Sequence, residues 1–165
     1  GNVMGSRGSV IPFFLKLRDN AVLPITDSRM TRFNISLSAG VDMVLWALEN
    51  SLGSEIFVPK IPSYRITDLA KAINPHADLK IVGLRPGEKI HEEMITTSDS
   101  PSTIDLKSYY AILPPDGFAL KNYIHNSIPY TMVDHDFCYN SGTNPNFLTI
   151  AELRDLIKLH VDNTF

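Results

Sequence analysis

An α/β fold is the class this sequence predicts, and three observations carry the prediction. Segments with apolar residues at every second position alternate with segments whose apolar residues recur at i, i+3, i+4 and i+7. Ile56-Phe57-Val58 is an unbroken apolar stretch, the kind found in strands buried within parallel sheets. The 165 residues are 44% hydrophobic and 20% charged, the balance of a soluble globular domain.

Each element has a local reason. Asn2-Val3-Met4 reads as a strand already under way, as though the chain were the back half of a larger protein. Val10, Phe13, Phe14 and Leu17 form one apolar helix face, with Pro12 in the first turn, where a missing N–H does no harm. Leu23-Pro24-Ile25-Thr26 is a short edge strand, and Phe33, Ile35 and Leu37 alternate with polar residues as in a half-buried strand. Ser38 is a good N-cap for a helix carrying Val41, Val44, Leu45 and Leu48 and ending near Gly53. Thr67 caps a short helix through Leu69 and Ile73, and Leu79 to Leu84 form a strand that delivers Arg85 at its end. Thr96 to Lys107 is polar and reads as a loop, Tyr109 to Leu113 as a strand, and Pro114-Pro115-Asp116-Gly117 as a break. Residues 118–147 read as irregular, and Thr149 with Glu152 makes a capping box for a last helix through Leu153, Leu156 and Ile157.

Composition excludes several function classes. A net charge of −3 argues against nonspecific nucleic-acid binding, which needs a basic face. Apolar runs such as Val10 to Leu15 are too short to span a bilayer. The single cysteine, Cys138, cannot close an internal disulfide, so a reducing cytoplasm is expected. Asp134-His135-Asp136 with Cys138 lacks a second His or Cys pair at zinc spacing and reads as a polar loop, so no metal is expected. His91, beside Glu92 and Glu93, reads as part of a solvated segment, and Trp46 as core.

Three clusters remain as candidate chemistry: Gly1 to Ser9, Pro24-Ile25-Thr26-Asp27 with Met30-Thr31-Arg32-Phe33, and Arg85-Pro86-Gly87-Glu88-Lys89. Each places a guanidinium beside glycine, hydroxyl or amide groups, the composition of a phosphate or sugar grip. A surface turn with an Arg85–Glu88 salt bridge is the plainer reading of the last cluster taken alone. Neither a Gly-x-Gly-x-x-Gly dinucleotide loop nor a tyrosine followed by lysine four positions later occurs.

These clusters, with Glu55 to Pro62 and Thr67-Asp68-Leu69-Ala70, resemble the C-terminal half of inverting UDP-N-acetylglucosamine 4,6-dehydratases over at least the first 95 residues. The resemblance implies the C-terminal part of an extended short-chain dehydrogenase Rossmann fold with its smaller nucleotide-sugar-binding domain. Residues 1–60 would supply the closing Rossmann elements interleaved with substrate-domain elements, and residues 61–165 the nucleotide-sugar-binding domain. It implies NADP as cofactor, a UDP-sugar such as UDP-N-acetylglucosamine as substrate, and a homo-oligomeric cytoplasmic enzyme of bacterial surface-sugar biosynthesis. Asn2, Val10, Thr26, Arg32, Arg85 and Glu88 would then meet the substrate, and Val3, Met4, Gly5, Ser6 and Arg7 the nicotinamide side of the cofactor. The catalytic residues would lie in the other half of such a protein, so this chain alone is expected to be inactive. A membrane-anchored polysaccharide-biosynthesis relative shares the Arg85-to-Lys89 motif, but the short Gly1-to-Thr26 interval suits the soluble family better. A non-catalytic nucleotide-sugar-binding or oligomerisation module is the alternative function.

Overall fold

The structure is a computed structural model that describes residues 2–115 and 118–165. In chain order its elements are β1 (Asn2–Val3), α1 (Val10–Lys16), β2 (Val22–Ile25), β3 (Thr31–Ile35), α2 (Leu37–Asn50), β4 (Ile56–Pro59), β5 (Ser63–Arg65) and α3 (Ile66–Ile73). They continue with β6 (Asp78–Ile81), β7 (Glu93–Ile95), β8 (Thr103–Asp105), β9 (Tyr109–Ile112), α4 (Phe118–His125), β10 (Thr131–Met132), β11 (Tyr139–Asn140) and α5 (Ile150–His160). Two compact units result, one made of Gly1–Leu37, Ile61–Glu92 and Ser141–Phe165, the other of Ser38–Lys60 and Glu93–Asn140.

In the first unit β3 is the central strand of a three-stranded sheet, parallel to β1 and antiparallel to β5. A parallel pair, β2 with β6, runs in register from Val22↔Asp78 to Ile25↔Ile81. Ile11, Phe14, Leu23, Leu69, Leu153 and Ile157 share one buried core with Met30 and Tyr64. The capping box on α5 forms as expected: Thr149 N–H donates to Glu152 Oε2 at 2.8 Å, and Glu152 N–H to Thr149 Oγ1 at 3.2 Å. In the second unit an antiparallel sheet in the order β10-β8-β9-β4 contributes Ile104 and Ala111 to a buried cluster with Leu113 and Tyr123.

Several expectations are corrected. On α1 the buried edge is Ile11 and Phe14, while Phe13 is 48% exposed, because so short a helix docks through one i, i+3 edge. Leu37 starts α2 rather than ending the strand, and Ser38 lies inside the helix's first turn. None of the side chains of α2 is buried: Val41, Val44, Leu45 and Leu48 are all exposed. β4 is antiparallel and at a sheet edge, so Ile56 faces solvent and only Val58 is buried. Arg65, not Thr67, holds the N-cap position of α3, without a side-chain cap bond. The polar stretch Thr96–Lys107 contains β8, with Thr103 and Ile104 fully buried, and residues 118–147 contain α4, β10 and β11. Trp46 is half-buried rather than core, stacked on Tyr109 at 4.2 Å and edge-on to Phe57. Of the expected break at Pro114–Gly117, Asp116 and Gly117 lie outside the described residues.

Leu153 touches no solvent, so Leu153→Ala should lower unfolding free energy by about 2–5 kcal/mol in urea denaturation. Thr149's backbone and hydroxyl hold the Glu152 carboxyl below its ordinary 4.5. A depressed carboxylate stabilises the fold above its unfolded pKa, and that contribution fades as pH falls through the folded value. Thr149→Ala should therefore destabilise the protein at neutral pH, and by progressively less as pH falls through the folded-state pKa of Glu152.

Candidate functional site

A cleft of about 460 Å³ opens in the first unit. Its walls come from β1, α1 with the turn before it, the end of β2, β3, β5 with the start of α3, and the loop that follows β6. That volume lies within the usual range for small-ligand sites, about 300–1,000 Å³.

The loop after β6 owes its shape to its sequence. Val82 and Gly83 N–H groups extend the ladder to Ile25 and Thr26 carbonyls at 2.9 and 3.1 Å, carrying the chain to the cleft mouth. Glu88 N–H then donates to the Arg85 carbonyl at 3.0 Å, closing a turn with Pro86 at its second position and Gly87, at φ +80°, at its third. That is a type II turn, which needs a positive φ where Gly87 stands. The Arg85 N–H donates to Glu88 Oε2 at 3.1 Å, so the carboxylate caps the turn's backbone and leaves the Arg85 guanidinium alone. Among the described residues the exposed Arg85 guanidinium has no hydrogen-bond or ion-pair partner.

Arg32 is the opposite case. Its side chain is 14% exposed and its Nη1 donates to the Thr31 and Ile90 carbonyls at 2.7 and 3.0 Å. Its Nε lies 3.6 Å from Glu92, and its Nη2 lies 4.0 Å from Glu88, on the cleft side. Burial, helped by the Glu92 carboxylate, pushes the Tyr64 hydroxyl far above its ordinary range, so it stays protonated. Asp27, beside Thr26, is held down to about 2 by hydrogen bonds from the Arg29 side chain and amide. Its charge is thus already matched, and it offers the cleft no proton.

Val3, Met4, Val10, Thr26, Arg32, Arg85 and Glu88, all singled out from the sequence, line this one cleft. Gly5, Ser6 and Arg7 do not. Gly5 has another reason to be glycine: it sits at φ +74°, and a Cβ there would lie 2.9 Å from Val161 Cγ2. The side chain of Asn2 lies outside what is described. Sequence reasoning missed Asn34 and Tyr64, both buried and both in the wall, and gave Ser9 no role of its own. Arg32 and Asn34 sit two apart on β3, and that period-two pair of polar residues was the available signal. Ser9 lines the cleft with a buried Oγ that has no partner among the described residues. His91 is not solvated as expected: its Nδ1 lies 2.8 Å from Thr31 Oγ1. Among the described residues no three His, Cys, Asp or Glu side chains cluster as metal ligands, and no helix is long and apolar enough to cross a membrane.

Comparison with known proteins gives this geometry a family. Residues 1–114 match the family described as polysaccharide biosynthesis protein. The chain belongs to that family. Among its relatives, the inverting UDP-N-acetylglucosamine 4,6-dehydratase of Campylobacter jejuni subsp. jejuni serotype O:2 is 48% identical over 163 residues, 95% of this chain and 49% of that protein. A UDP-glucose 4-epimerase of Rickettsia conorii is 43% identical over 122 residues, covering 71% of this chain and 36% of its own length. The crystal structure of Pen from Bacillus thuringiensis superposes with a TM-score of 0.77 at 31% identity, covering 95% of this chain and 47% of Pen. The architecture of this family member is accordingly the α/β fold of the extended short-chain dehydrogenase type. It spans about half the length of the curated relatives it matches.

The two glycines flanking Ser6 and Arg7 should respond differently to substitution. Gly5→Ala meets Val161 at positive φ and should cost about 1–3 kcal/mol through overpacking, in addition to backbone strain. Gly8→Ala, at φ +78° with nothing within 4 Å, should incur only the strain of about 1–2 kcal/mol. Paired thermal and chemical denaturation of the two variants checks the order.

Proposed function

We propose that this cleft binds the UDP portion of a nucleotide sugar, as part of an NADP-dependent UDP-N-acetylglucosamine 4,6-dehydratase of bacterial surface-sugar biosynthesis. The observation that carries the reading is the unpartnered guanidinium of Arg85, held at the mouth by a closed turn beside Arg32, Thr26 and Ser9. A diphosphate needs convergent cationic donors, and a guanidinium meets phosphate oxygens with two parallel N–H groups. Arg85 would take the diphosphate, with Arg32 Nη2 and the Ser9 hydroxyl completing the donor set. Glu88 would accept from ribose hydroxyls with the lone pairs that its backbone cap leaves unused, and Thr26 would meet the uridine. Val10 would pack beside the nucleotide, and Asn2 would meet the sugar–diphosphate end. The closing Rossmann elements would belong to residues 1–60 and the nucleotide-sugar-binding domain to residues 61–165.

The lyase reaction in this reading removes hydride from C4 of the hexose, eliminates water across C5 and C6, and returns hydride to C6. NADP would supply the hydride carrier when bound. The chain fits only part of that group: Val3 and Met4 give the cleft an apolar wall suited to a nicotinamide ring, whereas Gly5, Ser6 and Arg7 do not line it. What these residues contribute is therefore orientation and charge compensation of the substrate, which lower the barrier by fixing the reacting carbon's position. The UDP-glucose 4-epimerase relatives support a second reading, epimerisation at C4, in which the same residues would grip the same UDP.

Isothermal titration of UDP into the chain tests the proposal. Arg85→Ala should weaken binding by about 1.5–3 kcal/mol, the range for a hydrogen bond to a charged group. Arg85→Lys should restore only part of it, because a point charge cannot reproduce the fork. Glu88→Gln should have a smaller effect. Unchanged UDP affinity in Arg85→Ala would contradict the assignment.

A further inference from the structure

The Gly83-to-Glu92 segment carries Arg85 and Glu88 but has no helix or strand of its own, so its aim depends on how its ends are tied. Its first end is an extension of the β2–β6 ladder, as described above. The far end is tied by a polar cluster around His91. Thr31 Oγ1 sits 2.8 Å from His91 Nδ1 and 2.7 Å from Ser141 Oγ, and the Glu92 N–H donates to that same Ser141 Oγ at 2.9 Å. Thr31 and Ser141 are 4% and 0% exposed, so their hydroxyls must find partners within the protein. Backbone bonds run alongside: Thr31 N–H donates to the Ile90 carbonyl at 3.0 Å and Ser141 N–H to the Glu92 carbonyl at 2.8 Å.

Gly142 supplies an independent observation. A Cβ there would come within 2.6 Å of His91 Nδ1 and 2.8 Å of its Cγ and Cε1. Gly142 is not among the glycines with positive φ, so its conformation does not call for glycine. Room for the imidazole does. The ring is thus seated between a buried hydroxyl and a stretch of backbone without a side chain.

We propose that His91 is a positioning residue: through Thr31 and Ser141 it fixes the exit of the Arg85–Glu88 turn and so sets the geometry with which the cleft grips a pyrophosphate. The ligand in that statement rests on the reading of the cleft given above, whereas the anchoring of the loop does not. Two readouts on the intact chain separate them: amide hydrogen exchange at Thr31, Phe33 and Glu92 without ligand, and affinity for UDP.

His91→Ala should speed exchange at those amides and weaken UDP binding by about tenfold each, the equivalent of one hydrogen bond. His91→Asn can place an amide group where Nδ1 stood, and should recover both to within about threefold. Gly142→Ala should reproduce the His91→Ala pattern by displacing the ring. Exchange and affinity unchanged in His91→Ala would overturn the proposal, as would failure of asparagine to recover them. Loss of UDP binding with exchange unaltered would also overturn it. Absence of UDP binding in the unsubstituted chain would overturn the ligand reading alone, because the exchange arm needs no ligand.

Discussion

A guanidinium cannot be deprotonated to ease its burial, so one that is largely withdrawn from water must be surrounded by acceptors. Arg32 meets that condition with two backbone carbonyls and two carboxylates, those of Glu88 and Glu92. The acceptors come from both sides of the cleft's far wall, the central strand β3 and the segment leading out of the Arg85 turn. Arg32 thereby ties the strand to the loop, and the cleft's shape follows. Removing it would leave two carboxylates close together without a counter-charge, a larger penalty than the loss of one ion pair.

The two arginines of the site divide the work. Arg32 is committed to the protein through most of its donors and faces the cleft with what remains. Arg85, seven residues past the start of β6, keeps its whole fork because Glu88 spends its carboxylate on the turn's own backbone. A salt bridge between Arg85 and Glu88, which the pentapeptide alone suggested, would have disabled both for a ligand. The type II turn prevents it by bringing Glu88 back onto the Arg85 amide. A site built this way is rigid in its frame and open at one cation, an arrangement suited to holding an anion in a fixed place rather than to acid–base chemistry.

Features whose signals are local were legible in the sequence. The capping box of Thr149 and Glu152, the Pro86-Gly87 turn and the strand at Tyr109 each depend on residues within a few positions, and each formed where expected. Strand direction was not legible at Ile56-Phe57-Val58, since an apolar run reports burial on average but not the partner that β9 supplies from more than fifty residues away. β8 was hidden by its polar flanks, because Thr103 is buried through a hydroxyl bonded to the Asp99 carbonyl rather than through an apolar side chain. α2 carries the apolar stripe the periodicity implied, yet the stripe is exposed: spacing defines a face but not what covers it. In the site, Arg85 and Glu88 were found because they flank a turn. The role of His91 escaped notice because its partner Thr31 lies 60 residues before it, and Ser141, which Thr31 bonds in turn, lies about fifty after it.

The cleft in the first unit, framed by Arg32 and opened at Arg85, is the proposed seat of UDP. Titrating UDP into the isotopically labelled chain while following backbone and arginine side-chain resonances tests it most directly. Saturable shifts are expected at Ser9, Thr26, Arg32, Arg85 and Glu88, with the Arg85 Nε–H moving most and residues 93–140 unmoved. Saturable shifts centred on residues 93–140, or no saturable shift at Arg85, would contradict it.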